Sequence, residues 1–469
     1  MSKIENIDRY WLTTPTGDPF ADIGGYVLEY LMELWPDLSV MEMIRKVTHI
    51  YVGNWDNNLH SFFLNSTITH NSNKGQKGID KTLGYYQGLI DEVGAVEGYC
   101  RITGQKGEVF PAARDNHIMS GSATLINFHH GYEAGIMLSK EALIRIFFVP
   151  LGVEQLGDKV AAIISNKEEV TRFFVRKNVD SNIRNLGSGM SKSILKSDFS
   201  NPTNALFDYA LQCINNIDTA IVDADEYIPK EQITLNLFHF TNFGAKPTIS
   251  LYRLPATVFF FYKYCVIHHA KEWQDFVYRN YWNTKFKNAT YNEVGESWSS
   301  PKETVDYQTF KVWRNNIFDK LTEEKSILKY ILKYIKLYPF SFKIVEIYQI
   351  NIMHMDKRTL DKIKELAFFV VDERNEDGIK DNVKNINLAK TSSELSRSLI
   401  KLLKENYELG NKAPLFTLEE YVYYLFPDGT SWRDIRNLLL IAIYDELHKR
   451  NLQIETNDEG EDEDEDTND

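Results

Sequence analysis

Several places in this chain set side chains side by side that are able to do chemistry. His268-His269-Ala-Lys-Glu272 spaces imidazole and carboxylate three or four residues apart. A helix there presents them on one face, as a metal-ligand pair or an acid–base couple requires. His129-His130-Gly-Tyr-Glu133 offers the same groups. Neither stretch holds two histidines four apart, as a zinc-protease helix does, and a hydrogen-bonded histidine beside an apolar face accounts for each more simply. Gly75-Gln-Lys-Gly-Ile-Asp-Lys-Thr82 and Gly187-Ser-Gly-Met-Ser-Lys-Ser193 both end on a lysine and a hydroxyl residue, like a phosphate loop. Asp80 and Ser191 stand where such a loop needs glycine before the lysine, so the backbone has no room to wrap a phosphate. No Gly-x-Ser-x-Gly elbow is present. The expectation is a chain with no catalytic residue, metal or cofactor. The alternative is a metal-dependent cytoplasmic hydrolase or nuclease using His268, His269 and Glu272.

Two polar segments carry chemistry of another kind. The first sets Asn71, Asn73, Lys74, Gln76, Lys77 and Lys81 among glycines. Amides pair with base edges and ammonium groups with phosphates, which makes Asn71, Asn73, Lys74, Lys77 and Lys81 candidate contacts to duplex DNA. The second spreads Arg172, Arg176, Lys177, Arg184, Lys192 and Lys196 around Asn178, Asn182 and Asn185. A cationic, amide-rich strand of that kind tracks a backbone without reading sequence, as RNA or a displaced single strand demands. Further cations, Arg358, Lys362, Lys364, Lys401, Lys404, Arg433 and Arg436, fall on helical patterns where charge more often just solvates a face.

The bulk composition permits such a binder. The chain has 469 residues, 43% of them apolar and 13% aromatic, enough for several domains with real cores. Its net charge of −13 is concentrated in Glu455–Asp469, which holds ten acidic residues and no basic ones. The body is therefore close to neutral and can carry basic grooves locally. Cys100, Cys213 and Cys265 are odd in number and far apart, as expected in a reducing cytoplasm. No apolar signal region opens the sequence, and Leu254–Ala270 is broken by Lys263, His268 and His269, so no membrane segment is expected.

The elements that must position these residues point to an α+β fold. Two amphipathic helices are predicted between Tyr26 and Tyr51, parted at Pro36-Asp37, with the first beginning near Tyr26 and capped by Asp22. Gly24-Gly25 removes side chains where another backbone can approach. Residues 49–70 look extended, and residues 69–81 look like a flexible, weakly basic loop. The expected segments are a mixed N-terminal region at 1–97, a strand-rich insertion at 98–150, a mixed core at 151–300, a C-terminal helical bundle at 301–452 and a disordered acidic tail at 453–469. Within the core, the patterns predict a helix over 156–174, an open basic segment to Lys192, a hairpin over 233–252 about Gly244-Ala-Lys-Pro, and one long helix from Pro255 through Trp273 and Tyr281.

Several stretches resemble one family. They are Trp11-Leu-Thr-Thr-Pro-Thr-Gly-Asp-Pro-Phe-Ala-Asp-Ile-Gly-Gly-Tyr26, Phe240–Pro255 and Ser431-Trp-Arg-Asp-Ile-Arg-Asn-Leu-Leu-Leu440, with Cys100-Arg-Ile-Thr-Gly104 and Leu138-Ser-Lys-Glu-Ala142 in place of paired Cys-x-x-Cys knuckles. They are similar to the large subunit of type I-B CRISPR Cascade, the Cas-eight family in its cysteine-knuckle branch. One thiol of four survives, so the resemblance implies a vestigial knuckle kept by packing, without zinc. It also implies a non-catalytic subunit that binds crRNA, contacts the Cascade backbone subunits, helps recognise the PAM in double-stranded target DNA and stabilises the R-loop for antiviral defence, before a helicase-nuclease effector cuts. Related systems translate a small subunit from inside the large-subunit gene, and Met353 or Met355 would start one here.

Overall fold

The computed structural model describes residues 6–121, 135–189, 191–217, 223, 227, 232–241, 247–372, 376–426 and 428–454. They form a mixed α+β architecture in two units: one of residues 1–219, 233–255 and 311–314, the other of residues 220–232, 256–310 and 315–469. The sequence segmentation ran one core through residues 151–300, whereas the first unit gives way to the second between Pro255 and Ala256.

In the first unit, helices α1 (Arg9–Thr13), α2 (Pro19–Leu34), α3 (Val40–His49) and α4 (Gln76–Ile90) precede a three-stranded antiparallel sheet. That sheet is β1 (Val96–Tyr99), β2 (Lys106–Ala112) and β3 (Ile136–Leu138). It leads into α5 (Lys140–Phe148), all of whose residues are buried. Then come β4 (Glu154–Leu156), β5 (Lys159–Ser165), α6 (Glu168–Gly187), α7 (Pro202–Asn216), β6 (Leu235–Thr241) and β7 (Thr248–Leu254), with the four strands antiparallel in the order β4-β5-β6-β7. Helix α7 packs on β6 and β7. Phe238 and Phe240 meet the ring of Phe20 from α2 at 6.4 and 4.9 Å, and Phe62 meets Phe240 at 6.0 Å.

The opening motif is explained by one buried cation. Helix α2 starts at Pro19, earlier than expected, because Asp18 is the cap: its carboxylate accepts from the N–H groups of Phe20 and Ala21. Asp22 turns back instead, accepting from Thr16 N–H and Oγ1 and from Gly17 N–H. Arg145 on α5, 1% exposed, inserts between these segments and donates to the carbonyls of Ala21, Trp11 and Thr14 and to Asp22 Oδ1 at 2.7, 3.1, 2.8 and 2.8 Å. A Cβ on Gly24 would lie 2.0 Å from the Arg145 carbonyl oxygen, and one on Gly25 would lie 2.8 Å from its guanidinium. Two glycines inside a helix each cost about 1 kcal/mol against alanine. Here they allow α2 and α5 to cross closely enough for every guanidinium nitrogen to find an acceptor.

Several sequence expectations are corrected. Residues 156–174 are the β4–β5 hairpin and the start of α6, not one helix. Residues 49–70 hold a π-helical turn at Ile50–Asn54 followed by turns, and no strand. The basic segments 69–81 and 176–192 are largely helical, in α4 and α6. The insertion contains α5 as well as strands. The hairpin over 233–252 is present as β6 and β7, with Gly244-Ala-Lys outside the described residues. The long helix from Pro255 is two helices, interrupted at His269.

In the second unit, α8 (Ala256–His268) and α9 (Ala270–Tyr278) precede short strands at Thr290–Asn292, Ser297–Ser299 and Thr304–Val305. After them come α10 (Tyr307–Phe310), α11 (Asn316–Thr322), α12 (Leu328–Ile335), α13 (Phe342–Asn351), α14 (Lys357–Asp372), α15 (Glu376–Asn387), α16 (Ser392–Glu408), α17 (Leu418–Glu420) and α18 (Trp432–Lys449). Helix α18 is buried nearly all round, from Ile435 to Leu447, because α12, α13, α14, α15 and α16 all pack against it. No helix among the described residues is long and apolar enough to cross a membrane.

Candidate nucleic-acid interface

The candidate segments of the first unit, a hundred residues apart in sequence, meet at one turn. After the π-helical turn Ile50–Asn54, Trp55 is fully buried and stacks on Tyr51 at 5.3 Å and 27°. Its indole Nε1 donates to Ser191 Oγ at 2.8 Å, which fixes the segment before Lys192. The next residue, Asp56, pairs with Lys74 Nζ at 3.6 Å, which ties in the first segment. Both partners of that pair are exposed, so it contributes at most about 1 kcal/mol and orients more than it stabilises.

The first segment is not a flexible loop. His70 caps a single 3-10 turn, Asn71–Asn73, and Gly75, at φ +59°, turns the chain into α4. A Cβ on Gly78 would lie 1.9 Å from the Asn73 carbonyl oxygen, so this glycine is needed for packing. Asn73 is buried and accepts from Lys81 Nζ at 2.9 Å, so its amide faces protein. Asn71, Lys74 and Lys77 remain exposed.

The second segment divides similarly. Arg172 pairs with Glu29 and Glu168 at 2.9 and 2.8 Å and lies 4.5 Å from the Tyr26 ring centroid. Burial alone would lower its pKa, but the two carboxylates outweigh that and hold it above its ordinary value. Arg176 pairs with Glu33 over the Tyr30 ring, and Lys177 donates to Gln212 at 2.6 Å. Arg172 and Arg176 are thus balanced by carboxylates, while Lys177 is hydrogen-bonded to a neutral amide. Arg184, Lys192 and Lys196 are exposed, with no salt bridge among the described residues.

Beside the meeting point lies a polar cleft of about 290 Å³. Asn58, His60, Ser61 and Phe62 line one side, Gln155, Asp158 and Val160 of the β4–β5 hairpin another, and Ser193, Ile194 and Lys196 the third. Lys196 is set by a parallel bridge between its backbone and Gln155, with Gln155 N–H donating to Leu195 O and Ser197 N–H to Gln155 O, both at 2.7 Å. Sequence reasoning missed Asn58, His60, Gln155 and Asp158, and no spacing in the chain signals that they converge.

The remaining candidates contact neighbours within the fold. His269 Nδ1 bonds Glu272 Oε2 at 3.0 Å, and Glu272 Oε1 accepts from the Ser341 N–H that opens α13, while His268 lies over the Tyr264 ring at 4.8 Å. No cluster of three His, Cys, Asp or Glu side chains among the described residues can hold a metal ion. His129, His130 and Glu133 lie outside the described residues. At the knuckle position, burial pushes the Cys100 thiol up, but the Ser139 N–H and the Thr103 hydroxyl bond the sulfur and hold it below its ordinary value. Thr103 thus hydrogen-bonds the thiol of the cysteine three residues before it. In the bundle, Lys362 pairs with Glu365 and Glu420, Lys364 with Glu346 and Asp361, Lys401 with Glu405 and Lys404 with Glu408. Arg358 bonds Tyr424 at 3.0 Å, Arg436 bonds the Ala389 carbonyl at 2.9 Å, and Arg433 lies 4.9 Å from the Trp432 ring centroid.

Residues 334–469 match a family model described as the DevT C-terminal domain. The match covers the helices from the end of α12 through α18. Comparison with curated proteins and with solved structures gives no match.

Proposed function

We propose that this chain is the non-catalytic large subunit of a type I-B CRISPR Cascade complex, working in the cytoplasm, where it binds crRNA and double-stranded target DNA, contributes to PAM recognition and stabilises the R-loop. The observation that carries this reading is the convergence at Trp55-Asp56. Ser191 and Lys74 anchor the two cationic segments to adjacent residues, and Lys74, Lys77, Lys192 and Lys196 stay exposed there. Fixed turns bearing solvated ammonium groups suit a backbone-positioning surface, with sequence left to base pairing. Backbone subunits and the helicase-nuclease effector are the protein partners this role requires. The DevT match concerns the bundle, and the reading rests on the first unit.

A small subunit begun at Met353 or Met355 belongs to the same proposal. Both methionines lie in the connection between α13 and α14, so such a product would lack α12 and α13, which pack on α18. It would need another protein surface over α18. Intact-mass measurement of the purified complex detects or excludes that product.

The function is tested by expressing the chain with its gene neighbours and purifying through it. Copurification with a guide RNA and backbone subunits supports the reading. A monodisperse chain that carries no RNA and turns over a substrate by itself overturns it.

A further inference from the structure

Most basic surfaces that follow a polynucleotide are shallow, whereas the Asn58–Lys196 site is recessed. Its volume, about 290 Å³, lies at the small end of the ~300–1,000 Å³ typical of ligand sites. That is room for one nucleotide and too little for a folded partner. Three of its polar side chains, Asn58, His60 and Lys196, make no hydrogen bond among the described residues, so their capacity faces the cleft or solvent. Gln155 is occupied by the Gly157 carbonyl and Ser193 by that of Ile194, so a residue on each of two walls is fixed.

The turn that delivers Asn58 and His60 is strained. Asp56 and Asn57 both have left-handed backbones, at φ +46° and +61°, and neither is glycine. The Asn57 side chain is buried, 4% exposed, and neither its Nδ2 nor its Oδ1 has a hydrogen-bond partner among the described residues. A buried amide without partners costs about 1–3 kcal/mol. A turn that keeps two unfavourable conformers and an orphaned amide, directly before cleft-lining residues, is held for something other than stability.

We propose that this cleft takes a single unstacked nucleotide from a strand lying on the surrounding lysines. Lys196 and His60 meet its phosphate, while Asn58 and Asp158 meet the edge of its base. An aspartate repels phosphate, so its presence in the lining requires the base side to carry a donor. Cytosine, adenine and guanine offer it an exocyclic amino group with two N–H donors, against the single ring N3–H of thymine and uracil, so bases with an amino group are preferred. Phe62, among the lining residues, supplies apolar contact for the ring. The proposal rests on the nucleic-acid reading above and adds to it a place where one base leaves the stack.

The test uses the full-length chain and fluorescence anisotropy with short single strands in RNA and DNA form, one central position being cytosine, thymine or abasic. The expected result is that the cytosine strand binds about tenfold more tightly than the abasic one, with thymine between, and that Asn58→Ala/Asp158→Asn removes the difference. A photoreactive pyrimidine at that position should crosslink to the peptide holding Asn58–Phe62 or the one holding Ser193–Lys196. The RNA and DNA arms show which strand the site serves. Equal affinity for the abasic and cytosine strands, in a chain that still binds both with a steep salt slope, overturns the cleft and leaves the broader reading standing. Absence of any binding overturns both. All the substituted residues line an open cleft, and an unchanged Tm confirms that the variants fold.

Discussion

The Trp55 turn of the first unit and the helical bundle of the second use their cations in opposite ways. In the bundle, Lys362, Lys364, Lys401 and Lys404 each have a carboxylate within reach. At the turn, Lys77, Lys192 and Lys196 are exposed without one. Sequence counts these residues alike, as lysines in polar surroundings. The difference lies in which carboxylates come within reach: in the bundle a partner three or four residues away takes each ammonium group, whereas around the turn Lys74 alone of the four lysines reaches one, Asp56, and Lys77 stays unpaired although it lies on α4. Unpaired charge is therefore the mark by which the two surfaces are told apart, and positive charge alone is not.

Four experiments can break or sharpen that contrast. The largest effect is expected at the extreme case of inward use. Arg145→Ala leaves Asp22 without its cation and three carbonyls without their donor, and should cost about 3–5 kcal/mol of unfolding free energy in denaturant titration. Unchanged stability would mean that the clamp does not organise the opening motif. Next comes the outward set: Lys74→Glu/Lys77→Glu/Lys192→Glu/Lys196→Glu should weaken duplex or single-strand binding by about a hundredfold at moderate salt. The same variant should flatten the slope of log K against log salt by roughly 0.7–0.9 per contact removed, with Tm unchanged. An unaltered slope would sink the assignment of this surface.

The paired set provides the contrast. Lys401→Glu/Lys404→Glu places like charges beside Glu405 and Glu408 and should lower stability by under about 1 kcal/mol, with binding changed less than about twofold. The smallest effect concerns Asp434 in the first turn of α18, whose carboxyl is raised above its ordinary 3.8 by burial alone. A raised folded pKa means the ionised form carries a penalty at neutral pH, which disappears as pH falls through the folded value towards 3.8. Asp434→Asn should thus raise Tm by about 1–2 °C at pH 7 and by nothing at acid pH.

What the sequence revealed depended on whether a residue's use was local. Gly24-Gly25 signalled a close backbone approach correctly, and β6 and β7 were visible from period-two patterning about a turn. The later part of α6, beyond Phe174, was hidden because Asn178 and Asn182 occupy its buried face, donating to the carbonyls of Gly152 and Leu151, and polar residues there interrupt the apolar period. Gly75 and Gly78 looked like loop residues, but one turns the chain and the other allows packing against Asn73. The β4–β5 hairpin was mistaken for helix because Val160–Ile164 is a short continuous apolar run, ambiguous between the two states. The cleft was beyond reach: its three walls come from residues 58–62, 155–160 and 193–196, and only tertiary folding assembles them.

Helix α18 has a consequence for how the protein is made. Five helices lean on it, yet it is synthesised after all of them. Their apolar stripes must wait, exposed, until residue 449 has left the ribosome, so the bundle closes after translation has passed it, not alongside. Chaperone dependence and ribosome-stalled aggregation should therefore concentrate in the second unit, while the Arg145 clamp of the first can set as soon as α5 emerges.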